Sequence, residues 1–455
     1  NVPAGSMSAF DDKPDHFVEY LRKNYSREHS SNISGSDFLP RNVYGDYLQH
    51  VLRKAVATRP ATIEYSHASD RAVGICRSDS RWLVQLKGGT QLTADRVILA
   101  IGNAQPKSPW LESDDFYETS ARYIRDPWSE GMLDRIDWRL PVLLIGNGLT
   151  AVDIILKLAV HRFRPTVYAI SRHGLHPLAH RGLSGKLDPI ELTNLYGSAP
   201  ISLNHVAQFI REKYFEVVSQ GRDWRDIIAA LRPHLPSLWR RFSRQDKQRF
   251  LRHGSVYWDA HRHRLAPPVA ASLQDIAITP RLKIAAGRIQ TLVDNGSDIE
   301  VTWRPRGRKE HAAISVGTVI NCTGPNSDVQ RIDDVFVQEL LRQELIKPDA
   351  FKLGIEVADD YSVTAEAGDD TRSLIYIGPW LKAKYWEATA VPELRTHVDN
   401  AVRQLLHSIQ LLDSRDKAHP GTSSTETSTD DSRIQTEAVR FPSVSYLPLM
   451  KRKSV

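Results

Sequence analysis

Pro141-Val-Leu-Leu-Ile-Gly146-Asn-Gly148-Leu-Thr150-Ala151-Val-Asp-Ile-Ile-Leu-Lys-Leu-Ala-Val160, continued by Thr166-Val-Tyr-Ala-Ile170-Ser171-Arg172, decides the fold. The apolar run Val142–Ile145 has the length and composition of a buried parallel strand. Gly146 through Ala151 follows at once as G-x-G-x-x-A, an apolar-periodic helix is expected over 151–160, and a second strand over 166–170 closes a βαβ unit. Gly146 allows the tight strand-to-helix turn. Gly148 lets a pyrophosphate approach the backbone, Thr150 lies in the same turn, and Ala151 lets helix and strand pack closely. The helix start offers unpaired N–H groups and a positive dipole end to phosphates.

The end of the second strand sets the cofactor preference. An NAD site carries Asp or Glu there for the ribose 2′-hydroxyl. Here stand Ser171 and Arg172, a hydroxyl and a guanidinium suited to a 2′-phosphate, so NADPH is favoured. The competing reading makes Arg172 a solvated loop residue.

At 455 residues the chain can hold two or three domains with substantial cores. Hydrophobic residues at 41% and charged residues at 25% place it among globular proteins. No apolar run approaches the ~18–20 residues of a membrane span, and no signal-peptide pattern opens the chain. Two cysteines, Cys76 and Cys322, make no disulfide framework, so a reducing, cytoplasmic setting is expected. The net charge of +6 suits anionic cofactors and does not by itself imply nucleic acid. The first residue is Asn rather than Met, which suggests a fragment or a processed product.

Outward from the motif, helices are expected over 15–27 and 47–56. Short strands follow over 62–65, 72–76, 82–86 and 91–92, then a buried strand from Arg96 that stops at Gly102. The order is written again later: strands over 282–285, 288–293, 299–303 and 313–314 lead to Thr318-Val-Ile-Asn-Cys-Thr-Gly324-Pro325. Two such copies bracket the dinucleotide motif and imply a nicotinamide domain inserted into a larger, discontinuous one. Between them, 201–219, 224–231 and 237–253 read as amphipathic helices. The last carries Arg240, Arg241, Arg244, Lys247, Arg249 and Arg252, read as a solvated basic face in preference to a nucleic-acid surface. Leu374-Ile-Tyr-Ile-Gly378 is a strand ending in glycine, and a helix starts at Pro392 with Glu393 suited to its N-terminal dipole. It is expected to end near His407. From about Asp413 the Ser, Thr, Asp and Glu-rich composition predicts disorder.

Many motifs in one order carry a resemblance: Asn1-Val-Pro3-Ala-Gly-Ser-Met-Ser, Pro40-Arg41 with Tyr44-Gly-Asp-Tyr47, Ala100-Ile-Gly102, Gly146-Asn-Gly148, Ser171-Arg-His-Gly174, Tyr257-Trp-Asp259 with His261-Arg-His-Arg264, Asn321-Cys-Thr-Gly-Pro-Asn326, and Trp386-Glu387 with Pro392-Glu393-Leu-Arg395. Together they resemble the FAD/NAD(P)-binding proteins of the bacterial YdhS-like family, relatives of the flavin-dependent N-hydroxylating monooxygenases. The resemblance implies an α/β, two-dinucleotide-binding-domain flavoprotein fold, Rossmann-like and three-layered, with β-meander insertions and a helical insertion. It divides the chain into an FAD-binding part (1–132), an NAD(P)-binding domain (133–311, helical insertion 184–275), a second FAD-binding part (312–411) and a disordered tail (412–455). It implies FAD, NADPH and O2, with a small polar nitrogen compound as substrate. FAD contacts are implied at Asn1, Pro3, Gly102, Gly324, Gly378, Trp386, Glu387, Pro392 and Glu393, the Pro392 helix pointing its positive end at the flavin. The pattern departs from the family in one respect. Family members open with a strand and a G-x-G-x-x-G for the FAD pyrophosphate, which here would have to precede Asn1.

No catalytic residue is assigned. The histidines at 173, 176, 180, 261 and 263 lack the cysteine or carboxylate spacing of a metal site, and no G-x-S-x-G elbow supports a hydrolase. Two classes stay open, a flavin- and NADPH-dependent oxidoreductase and a nucleotide-binding module that senses redox state without turnover.

Overall fold

The computed structural model describes residues 2–25, 33–78, 80–109, 111, 115–161, 163–181, 190, 192–196, 201–365 and 373–418. Its centre is a seven-stranded sheet. The expected βαβ unit supplies β6 (Val142–Ile145), the helix Leu149–Ala159 and β7 (Val167–Ser171). All four β6 residues are buried, and the helix buries Ala151, Val152, Ile154, Ile155 and Leu158. Each buried aliphatic side chain contributes about 1.5–3 kcal/mol of transfer free energy, which outweighs the modest helix propensity of the β-branched residues.

Before β6 the chain forms β1 (Ala72–Ser78), β2 (Arg81–Leu86), β3 (Gln91–Ala94), β4 (Val97–Leu99) and β5 (Tyr123–Ile124). After β7 come β8 (Leu282–Asp294), β9 (Ile299–Pro305), β10 (Ala312–Val316), β11 (Thr318–Asn321) and β12 (Leu374–Tyr376). The central order is β10-β9-β8-β7-β6-β11-β5. Strands β5 to β8 and β11 run parallel, and β8, β9 and β10 form an antiparallel meander.

β8 belongs to both halves. Residues 282–286 pair in parallel with β7, and 287–294 pair antiparallel with β9. The two strands expected over this stretch are therefore one, turning at Gly287. A Cβ at Gly287 would lie 2.5 Å from the Arg304 carbonyl oxygen and 2.6 Å from the Trp303 ring. Glycine is what lets the backbones close up there.

The two architectural copies end differently. β1-β2-β3 is a separate sheet, and β4 pairs in parallel with β12 alone among the described residues. β11 instead inserts between β6 and β5. The central sheet thus takes in 123–124 and 312–321 together with the dinucleotide motif. Around β4 and β12 a second core gathers Trp82, Phe336, Leu340, Tyr376 and Trp380.

Three further expectations are corrected. Residues 62–65 form no strand: Ile63 N–H bonds back to the Pro60 carbonyl in a local turn, and Ile63 stays 54% exposed. The segment 237–253 is broken into the helices Leu235–Arg241 and Arg244–Arg249 and a π-helical turn, Phe250–Gly254. Phe242 is extended, and the Ser243 hydroxyl accepts from the Asp246 amide, restarting the helix at an ordinary N-cap. The last helix spans Val391–Ala418, past His407 and over the start of the segment expected to be disordered. Residues 419–455 lie outside the described residues.

Candidate dinucleotide and cofactor cleft

A cleft of about 950 Å3 opens at the C-terminal ends of β6 and β7, where open parallel sheets bind ligands. Its floor is the 146–150 turn. Gly146 has φ +107°, and a Cβ there would lie 2.6 Å from the Cys322 carbonyl oxygen, so position 146 requires glycine on both counts. Gly148 has φ −84°, open to any residue, and a Cβ there would meet nothing within 4 Å. That open space is what a phosphate needs. The helix that follows has no side-chain cap, so its first-turn amides face the cleft without a competing carboxylate or hydroxyl.

Asn147 is 4% exposed, and its Nδ2 donates to the Gly174 carbonyl at 3.3 Å. Its Oδ1 is buried with no donor among the described residues, an acceptor that fits a ribose hydroxyl or amide N–H of a bound nucleotide. Ser171 spends its hydroxyl on the Gly174 amide at 3.0 Å, which fixes the 171–174 turn. Arg172 is exposed in the cleft wall with no ion-pair partner among the described residues. Arg306, just past β9, donates to His173 Nδ1 at 2.9 Å. Burial, then the charges of Arg306 and Arg172, hold His173 below its usual value. The imidazole therefore stays neutral and two guanidiniums share one corner. Arg306 lies 134 positions from Arg172 and carries no motif; only the meander's fold brings it here.

The opposite wall comes from Asn103, from Gly324 to Ser327 after β11, and from Pro379, Trp380, Lys382 and Thr389. Trp380 is stacked on Tyr376 at 5.2 Å, and its indole N–H is buried without an acceptor among the described residues. The helix Ser255–Arg262 and the residue after it add Asp259 and His263, whose charged atoms stand 3.6 Å apart. Burial raises the Asp259 carboxyl and lowers the His263 imidazole. Both residues stand in the 257–264 motif that carries the resemblance, which assigned neither of them a role.

Of the expected nicotinamide contacts, Gly146, Gly148, Thr150, Ser171 and Arg172 line the cleft, and Ala151 packs fully buried behind them. The expected flavin contacts divide. Gly324 lines the cleft; Gly102 and Gly378 sit one residue before Asn103 and Pro379, which do. Position 378 has a packing reason for glycine, since a Cβ would fall 2.6 Å from the Tyr376 hydroxyl. Pro3 leads a short 3-10 turn, and Asn1 is outside the described residues. Pro392 lies in the first turn of Val391–Ala418, close behind the cleft residue Thr389.

Trp386, Glu387 and Glu393 do not reach the cleft. Trp386 holds φ +61° and packs at 4.9 Å against both Trp239 and Phe250 of the helical insertion. Glu387 accepts from Trp258 Nε1 at 2.8 Å and lies 3.3 Å from Arg262. Glu393 is gripped through both oxygens by Arg232 and bonded to Arg262 at 2.9 Å. Burial pushes its carboxyl up, but the hydrogen bond and charge of Arg232, with Arg262 behind it, outweigh burial and leave it below the usual range. These residues lock the insertion to the last helix.

Among the described residues no group of three or more His, Cys, Asp or Glu could hold a metal, and no helix is long and apolar enough to cross a membrane. The basic side chains of 240–252 are dispersed: Arg241 covers Tyr196, and Lys247 lies over Trp239 and Phe351.

Residues 1–104 match the FAD-NAD(P)-binding family model. No curated protein matches the chain. Solved structures of similar fold include an L-lysine 6-monooxygenase from Pseudomonas syringae (16% identity, TM-score 0.55, covering 87% of this chain and 83% of that one). An ornithine N-hydroxylase from Kutzneria sp. 744 is similar at 17% identity and TM-score 0.53, over 86% and 82% of the two chains. The FAD-bound cadaverine monooxygenase from Erwinia amylovora is similar at 12% identity and TM-score 0.54, over 96% and 88%. The fold is therefore the two-dinucleotide-binding-domain flavoprotein fold of the N-hydroxylating monooxygenases.

Proposed function

We propose that the protein is an FAD- and NADPH-dependent oxidoreductase, a monooxygenase of a small polar nitrogen-containing substrate. The observation that carries this reading is the single cleft whose floor is the 146–150 turn and whose far wall is the segment following β11 and β12. One cavity can thereby bring a nicotinamide and a second cofactor together. Bound flavin would supply the two-electron chemistry that links NADPH to O2. The chain's own part is to bind, orient and shield. Gly148 and the first-turn amides of Leu149–Ala159 receive the pyrophosphate, and Arg172 with Arg306 receives the 2′-phosphate. Asn147 Oδ1 accepts a nucleotide N–H or O–H, and Asp259 with His263 offers a proton-exchanging pair at the cleft wall.

The test is a titration of the purified chain with NADPH and NADH, followed by FAD reconstitution and the visible spectrum. Saturable NADPH binding at least tenfold tighter than NADH, with a flavin band that bleaches on NADPH and returns with air, supports the reading. Equal affinity for the two nucleotides, or a flavin band that NADPH leaves unchanged, removes it. A chain that binds NADPH and takes up no flavin would be a nucleotide-binding module instead.

A further inference from the structure

The helical insertion holds a second cavity, of about 680 Å3, with no part in the dinucleotide cleft. The helices Leu203–Ser219, Trp224–Leu231, Leu235–Arg241 and Ser255–Arg262 wall it. Four tryptophans, Trp224, Trp239, Trp258 and Trp386, face it together with aliphatic side chains. An unfilled space of this size, lined by aromatic and branched apolar groups, matches a small-molecule site and departs from the close packing of an ordinary core.

Its few polar groups identify the ligand. Trp258 Nε1 already donates to Glu387, Trp239 Nε1 to the Ala383 carbonyl, and His261 Nδ1 is bonded to the Tyr257 carbonyl. The Tyr214 and Tyr257 hydroxyls and the Trp224 indole N–H are neutral groups in the same wall, and Arg211 is its one guanidinium, exposed with no hydrogen-bond or ion-pair partner among the described residues. Among the described residues no carboxylate lines the cavity. An apolar body with one anionic end is the complementary shape: the body excludes water from the tryptophans, and the anion pairs with the free guanidinium.

One wall is shared. The helix Ser255–Arg262 and its flanking residues turn Val256, Asp259, Ala260 and His263 to the cleft, and Gly254, Tyr257, Trp258 and His261 to the apolar cavity. Those are two faces of one helix at i, i+3, i+4 and i+7 spacing. It grows out of the π-helical turn Phe250–Gly254, a feature often found beside functional sites.

We propose that this cavity is a binding site for an apolar monocarboxylate, held by its tail among the tryptophans and by its carboxylate at Arg211. The probes are decanoate, decan-1-ol and decylamine at submicellar concentration, titrated into the full chain by calorimetry with tryptophan fluorescence in parallel. Decanoate should bind saturably at one site, at least fivefold tighter than decanol, with decylamine weakest. Ala207→Phe, at an exposed cavity-lining position, should abolish binding with an unchanged thermal midpoint. Arg211→Ala should bring decanoate down to the decanol level. No saturable binding, or decanoate binding that survives Ala207→Phe, overturns the site. Equal affinity for decanoate and decylamine, or an Arg211→Ala chain that still prefers decanoate, overturns the anionic assignment. If Ala207→Phe proves unfolded, the probe ranking and Arg211→Ala decide alone.

Discussion

The 146–151 turn and the 386–393 segment were expected to do the same kind of work, each presenting backbone to a cofactor, and they are built on opposite principles. The first is local. Strand, glycine, glycine and helix start follow within ten residues, and the two glycines leave the backbone bare at the turn. The second is held from a distance. Arg232, Trp258 and Arg262, well over a hundred residues upstream, seize Glu387 and Glu393. A site made of backbone keeps its function in its spacing, and spacing is written in the sequence. A site made of charges depends on which partner arrives.

The comparison breaks most completely at Gly146. Gly146→Ala places a methyl 2.6 Å from a carbonyl oxygen at a left-handed φ, and should cost about 3 kcal/mol or more in urea unfolding while abolishing NADPH binding. A variant with wild-type stability would show that the turn can relax. Next is Glu393→Gln, which leaves Arg232 and Arg262 short of a buried counter-charge. A loss of about 3 kcal/mol is expected, with NADPH affinity within twofold of the parent. Replacing the pair by Arg232→Met with Glu393→Leu should recover most of that stability; if it does not, the cluster does more than join two segments.

The same carboxylate gives a pH dependence. Its folded pKa lies below its unfolded value, so its contribution is complete above about pH 5 and is lost as pH falls through the folded pKa. The urea midpoint of Glu393→Gln should therefore fall less steeply than the parent's between about pH 5 and pH 3. Parallel curves would remove Glu393 as the cause.

Two smaller effects sharpen the local half. Gly148→Ala has an ordinary φ and open space for its methyl, so stability should hold while NADPH weakens roughly tenfold, because the methyl occupies the phosphate approach. Arg172→Ala should weaken NADPH roughly tenfold and NADH hardly at all, with Arg306→Ala repeating the pattern more mildly. Equal losses for both nucleotides would detach these guanidiniums from the 2′-phosphate.

The βαβ unit was legible because hydrophobic period, glycine spacing and helix start all act within thirty residues. The bracketing strands were legible as strands, but their sheets were not. The apolar, glycine-terminated runs at 96–102 and 318–324 look alike, and only pairing sends β4 to β12 and β11 to the central sheet. The break at Phe242 lies inside continuous amphipathic spacing, and its mark, Ser243 capping the Asp246 amide, is a single polar contact that this spacing conceals. Arg306, which bonds the cleft residue His173, had no local signal, while Asp259 and His263 stood in the 257–264 motif without a role and reach the cleft wall through the fold of the insertion.

The position of β11 sets a timetable. It lies between β6 and β5, so two strands made early must wait for residues 318–321 before their edges are paired. The Cys322 carbonyl that closes over Gly146 arrives with them. On an emerging chain the most recognisable stretch of the sequence is thus among the last to reach its working shape. Until then the half-built sheet exposes apolar strand edges over nearly two hundred residues of synthesis. Protein yield should accordingly respond to chaperone supply and growth temperature more sharply than the stability of the finished molecule would suggest.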